Sequence, residues 1–133
     1  MMIRGTITKV DRWYAVDAPA LGLHTQGRGK ADSLRMAAAW VRDMLDRQDL
    51  EVEVVPDATG GGFSLRSADA AALVGLVLRQ HRTAAGMTLR EAAGRMGSTS
   101  PNAYARYENG TAMPTVAQLD RLLAAVGGEL SLA

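Results

Sequence analysis

Gly86-Met87-Thr88-Leu89-Arg90-Glu91-Ala92-Ala93-Gly94-Arg95-Met96-Gly97, continued by Tyr107-Glu108-Asn109-Gly110 and Pro114, is the stretch that decides the fold. Gly86 stops one helical run as a C-terminal cap. Thr88 opens the next, with Glu91 three places on, the spacing of a capping box in which side chains and backbone satisfy each other. Gly97 ends that helix. Ser100-Pro101 pairs an N-cap with a residue whose fixed φ suits a first helical turn. The helix it starts runs to Glu108 and stops at Asn109-Gly110. Thr115 with Gln118 makes a second capping box, ahead of Val116, Leu119, Leu122, Leu123 and Val126 at core spacing. Upstream, the run from Ser67 to Ala84 carries Leu73, Val74, Leu76, Val77 and Leu78 around much of its circumference, the pattern of a helix buried on several sides.

Short helices between turn signals at this spacing read as a helix-turn-helix, a small helical DNA reader. Charge agrees. Between Arg79 and Arg106 the cations are Arg79, Arg82, Arg90, Arg95 and Arg106, against Glu91 alone. From Tyr107 onward Arg121 faces Glu108, Asp120 and Glu129. The net charge of +1 therefore hides a basic stretch where phosphate contacts are needed. In the third helix Asn102 and Arg106 share a face. Asparagine can bond adenine bidentately and arginine guanine, so these two, with Ala103 beside them, are the candidates for base edges. Ser98, Thr99, Ser100 and Thr111 are short polar groups near helix ends that suit phosphate, as do Arg90 and Arg95. Tyr104 and Tyr107, three apart, read mainly as packing residues.

The first part of the chain has a different rhythm. Ile3, Gly5 and Ile7 alternate with Arg4, Thr6 and Thr8, as in a half-buried strand. Asp11-Arg12 turns the chain, Trp13 to Val16 reads as a second strand, and Leu21 to Thr25 as a third. Asp32 or Ser33 caps a helix to about Arg47, with Leu34, Ala37, Ala38, Val41, Met44 and Leu45 in one stripe. Met36 and Trp40 widen that stripe beyond what one sheet face needs. Leu50, Val52 and Val54 alternate with Glu51 and Glu53 as a further strand, ended by Pro56. The expected fold is α+β: a small sheet-plus-helix domain over residues 1–58, a glycine-rich linker over 59–67, and an all-α domain over 68–133 that ends in a short strand at Glu129–Leu132.

Composition sets bounds. Apolar residues make up 47% of the 133, too many for a disordered chain. Cysteine is absent, which removes disulfides and thiolate metal sites and fits a cytoplasmic location. The chain starts without an apolar signal core, and no run approaches the roughly 20 apolar residues of a membrane helix. His24 and His81 stand alone in the sequence, without metal-ligand spacing. Gly60-Gly61-Gly62-Phe63 has neither the lysine nor the helix start of a phosphate loop. No serine or threonine sits in a nucleophile motif. The chain reads as a binding protein rather than an enzyme, with no cofactor and no metal.

The Gly86–Gly97 residues with Tyr107-Glu108-Asn109-Gly110 and Pro114 resemble the phage-repressor (XRE-type) helix-turn-helix family over about residues 70–127. Ala93 stands where two packed helices need a small residue, and Gly97 at the turn. Leu89 departs from the glutamine common at its position, and the segment from Gly97 to Tyr107 is one residue longer than usual. Trp13-Tyr14-Ala15-Val16-Asp17-Ala18-Pro19, Gly22, Gln26-Gly27, the Ala31–Ala38 helix start, Pro56 and Gly127-Gly128-Glu129-Leu130-Ser131-Leu132 resemble the HicB antitoxin family over the whole chain. That resemblance implies a partial RNase H-like first domain that binds and neutralises a HicA-type mRNA-cleaving toxin, and repression of the antitoxin's own operon through operator double-stranded DNA. Trp13, Tyr14, Met36 and Trp40 are the candidate partner contacts. A stand-alone XRE-type regulator with a ligand-binding or dimerisation domain is the alternative. An enzyme on an RNase H-like scaffold is a third, for which Glu51 and Glu53 read as a solvent-facing strand edge rather than metal ligands. A homodimer or larger assembly is expected, because one reader covers one half-site. No membrane partner is expected.

Overall fold

The computed structural model describes residues 1–98 and 100–130. The chain divides into two compact units, Met1–Asp69 and Ala70–Ala133. The first contains β1 (Met2–Val10), β2 (Trp13–Ala18), β3 (Leu23–Gly27), helix α1 (Lys30–Leu45), β4 (Glu53–Pro56) and β5 (Gly62–Arg66). All five strands form one antiparallel sheet in the order β3-β2-β1-β5-β4. The α+β architecture read from the sequence is the one observed.

Alternation sets the two faces of the sheet. Ile7 lies opposite Val16, Gly5 opposite Phe63, and Val54 opposite Leu65. Val16, Ala18, Leu23, Phe63 and Leu65 on this face are buried, and so are Leu34, Ala37, Ala38 and Val41 of α1. Met44 and Leu45 are only half-buried. The other face carries Arg4, Thr6 and Thr8, all exposed.

Several boundaries differ from expectation. β3 covers Leu23–Gly27 rather than Leu21–Thr25, because Pro19–Leu21 forms a short 3-10 turn, and β4 covers Glu53–Pro56 rather than starting at Leu50. The segment 59–67 is not a linker. Asp57 accepts hydrogen bonds from the Thr59 hydroxyl at 2.7 Å and from the Thr59 and Gly60 amides at 3.1 and 3.0 Å. Gly60 takes φ 75°, and the glycines close a hairpin. β5 then runs between β1 and β4, in the interior of the sheet. Ser67 is buried and donates to the Glu51 carbonyl at 3.0 Å, so the unit closes at Asp69 rather than residue 58. Helix α1 starts earlier than Asp32 or Ser33. Its N-cap is Gly29, Asp32 lies in the first turn with its carboxylate on the Arg28 amide at 3.3 Å, and the Ser33 hydroxyl bonds the Lys30 carbonyl at 2.8 Å.

Edge strand β4 is guarded. The Asp57 amide bonds the Gly62 carbonyl at 3.0 Å, so alternation turns the backbone of Pro56 outward. Proline offers no N–H there, which blunts pairing with another strand.

The second unit contains α2 (Ala70–Ala84), α3 (Leu89–Arg95), α4 (Pro101–Glu108) and α5 (Val116–Ala125). Val74, Leu78, Met87, Ala92, Ala93, Tyr104, Leu122, Leu123 and Val126 form one core. The strand expected at Glu129–Leu132 falls partly on residues 131–133, outside the described residues; Glu129 and Leu130 are not in a strand.

Candidate nucleic-acid interface

Three of the helix starts in the second unit are fixed as their sequences require. Thr88 Oγ1 accepts from the Glu91 amide at 3.1 Å while Glu91 accepts from the Thr88 amide at 3.2 Å. Thr115 and Gln118 make the same exchange at 3.1 and 2.9 Å. Ser100 caps α4 by accepting from the Asn102 amide at 3.3 Å, with Pro101 in the first turn. Between α3 and α4, Gly97 takes φ 78°.

The end of α4 explains the Tyr107–Gly110 pattern. Glu108 is buried and forms a forked ion pair with Arg82 of α2: Nε to Oε2 at 2.5 Å and Nη2 to Oε1 at 3.0 Å. The third guanidinium nitrogen donates to the Met87 carbonyl at 2.9 Å. The carboxylate raises the Arg82 pKa above its ordinary value. Arg82 therefore bolts α2 to α4 and is withdrawn from the basic stretch of the sequence. Asn109 Oδ1 accepts from the Thr111 amide and hydroxyl at 3.1 and 2.8 Å, which turns the chain. Gly110, at φ 77°, lies against the backbone of Ala72.

This scaffold presents α4 with a clear division. Tyr104 is buried in the core and Tyr107 packs against it, so both are packing residues as expected. The Tyr104 hydroxyl is buried without a hydrogen-bond partner, and burial pushes its pKa well above the ordinary tyrosine range. Asn102, Ala103 and Arg106 are exposed, as is Arg90 on α3. Ser98 and Ser100 are spent locally: the Ser100 amide donates to Ser98 Oγ at 3.2 Å, and Ser98 Oγ to the Ser100 carbonyl at 3.2 Å. Thr99 lies outside the described residues. Arg95 is turned toward α5, with Nη1 on the Ala125 carbonyl at 3.4 Å. That oxygen belongs to a helix C-terminus, where a cation is favoured.

The structure does not gather the four candidates of the first unit. Trp13 and Tyr14 point to opposite sheet faces, because neighbours in a strand alternate. Met36 is exposed and Trp40 half-buried on α1. An open groove of about 490 Å³ runs between α1 and β4, over Leu34, Ala38, Val52 and Val54, with Arg35 and Arg42 at its rim. His24 is not isolated. Its Nδ1 lies 2.5 Å from Asp17 Oδ1 across the β2–β3 rung, a pairing that only the strand register creates. Among the described residues no three His, Asp or Glu side chains converge as a metal site, and no helix is long and apolar enough to cross a membrane.

Residues 73–132 match the family model of a helix-turn-helix domain. The C-terminal part of the chain is therefore a helix-turn-helix domain, a DNA-binding module. No curated protein matches the chain.

Proposed function

We propose that the protein is an antitoxin and repressor: its first unit binds and neutralises a HicA-type mRNA-cleaving toxin, and its second represses the shared operon by binding operator DNA. The observation that carries the DNA half is the exposure of Asn102, Ala103 and Arg106 on a helix whose other side, Tyr104 and Glu108, is locked into the core. In that geometry α4 enters the major groove with Asn102 and Arg106 at base edges, while Arg90 contacts phosphate. The antitoxin half rests on the Trp13–Pro19, Gln26-Gly27 and Ala31–Ala38 residues, with Met36, Trp40, Trp13 and Tyr14 as partner contacts. The protein acts in the cytoplasm by binding alone, without cofactor, metal or catalysis, and as a homodimer or larger assembly. With Met36 and Trp40 given to the toxin, the Glu129–Leu132 tail supplies the self-contact.

Two experiments test this. Selection of bound sequences from a random duplex library should return one motif with two-fold symmetry. Co-purification with the product of the adjacent gene should yield a small RNA-cleaving protein whose activity is lost in the complex. A stand-alone regulator is the second reading, favoured by the open groove between α1 and β4. A bound small molecule that changes operator affinity, with no protein partner recovered, would select it.

A further inference from the structure

Within the first unit α1 packs against one face of the sheet, and the opposite face carries side chains suited to a polar, anionic ligand. Three rungs of β2 and β3 present them. Asp17 lies opposite His24 and Ala15 opposite Gln26. Trp13 and Arg28 extend the series one rung further, with the guanidinium carbon 5.5 Å from the ring centroid. Successive rungs on one face are about 6.8 Å apart, from about 3.4 Å per residue. Arg12, in the β1–β2 turn, lines the same open cavity of about 450 Å³ with Trp13 and Arg28.

Charge on this face is uneven. Among the described residues Arg4, Arg12 and Arg28 enter no ion pair, whereas the Asp17 carboxylate is engaged by His24. His24 is 69% exposed with Nδ1 held by Asp17, so its other ring nitrogen faces solvent.

We propose that this open sheet face binds single-stranded nucleic acid. One unstacked base lies on the exposed part of the Trp13 ring, Arg28 and Arg12 take its flanking phosphates, and Gln26 and His24 serve the next nucleotides along the rungs. An open sheet face with one aromatic ring, arginines and hydrogen-bonding side chains at a regular step is a platform for splayed bases, and it has no element to enter a duplex groove. The inference goes beyond the operator-binding reading and uses no residue of α4. It rests on reassigning Trp13 from the partner contacts of the proposed function, and it leaves Tyr14, Met36 and Trp40 to a protein partner.

The test uses the full chain and fluorescence anisotropy with labelled single-stranded RNA and DNA of about twelve nucleotides, beside a mixed-sequence duplex. Trp13→Ala and Arg28→Ala should each weaken single-strand binding at least about fivefold and leave duplex binding within about twofold. Arg106→Ala should do the reverse. In a Trp40→Phe background, where Trp13 is the remaining tryptophan, the single strand should quench its emission. Arg28 is exposed, so its variant keeps the test valid if Trp13→Ala fails to fold. The proposal is overturned by undetectable single-strand binding, by affinity unchanged in Arg28→Ala, by loss that follows Arg106 instead, or by a polyglutamate peptide of equal charge competing as well as RNA.

Discussion

Gly75 of α2 lies directly against the carbonyl oxygen of Glu108, the last residue of α4. A Cβ at Gly75 would overlap that oxygen and stand 2.7 Å from the Tyr107 carbonyl oxygen as well. Propensity alone favours alanine inside a helix by about 1 kcal/mol. Here overlap with fixed backbone outweighs it, and Gly75→Ala should destabilise by about 1–3 kcal/mol in urea unfolding. A Cβ at Gly94, inside α3, would meet nothing within 4 Å, so Gly94→Ala should stabilise by about 0.5–1 kcal/mol. Equal effects at the two sites would contradict the close approach.

Arg82 and Glu108 form one mechanical joint. Arg82→Met leaves the Glu108 carboxylate buried without its partner and should cost on the order of 3 kcal/mol. Replacing both with apolar residues of similar volume should recover much of the loss, because neither charge is then stranded. Chemical denaturation of the two single variants and the double variant measures the coupling; additive losses would refute it.

Tyr104 makes the domain sensitive to alkali. Its hydroxyl has a folded pKa raised above the ordinary value of 10.0, mainly by burial. The folded state therefore keeps the proton that the unfolded chain releases. The resulting stability is fully present below pH 10 and is lost as pH rises beyond it. Tyr104→Phe should remove this share of the loss, and at pH 7 it should be neutral or stabilising, since it deletes an unpartnered buried hydroxyl. Urea midpoints from pH 7 to pH 11 for both proteins check the sign.

The position of β5 decides which fragment folds. Residues 1–58 lack the strand that lies between β1 and β4 and brings Phe63 and Leu65 into the core. That fragment should give collapsed, poorly dispersed NMR spectra, whereas residues 1–69 should give the dispersed amides of a sheet. A folded 1–58 fragment would show that β5 is dispensable.

On DNA, Asn102→Ala and Arg106→Ala should each cost about 1–3 kcal/mol and relax specificity at one base pair. Arg90→Ala should weaken all sequences alike and reduce the salt slope by about 1. Arg95→Ala should leave the salt slope unchanged and lower thermal stability, because its guanidinium serves the end of α5. Titrations at several salt concentrations separate the three behaviours.

The helix starts and stops of the second unit were legible residue by residue. Thr88–Glu91, Ser100-Pro101 and Thr115–Gln118 act within one turn of chain, so their hydrogen bonds depend on local spacing alone. The strands β1 and β2 and the buried stripe of α1 were legible for the same reason, since periods of 2 and 3.6 record which side is covered, whereas β3 begins two residues later than its pattern suggested. β5 was hidden because three glycines read as a break, and nothing local says that the chain returns to pair with its own first strand.

Among the functional candidates, Asn102 and Arg106 kept the exposure their spacing promised, while Arg95, though exposed, has its guanidinium on the Ala125 carbonyl. Sequence alone determined the helices of the second unit, their capped ends, and its helix-turn-helix character, because each depends on neighbours within a few residues. Only the tertiary structure decided the strand order, the pairing of Arg82 with Glu108 and of His24 with Asp17, and the need for glycine at 75. Those contacts join residues of different elements, and whether a charge meets solvent or a carboxylate is fixed by what packs beside it.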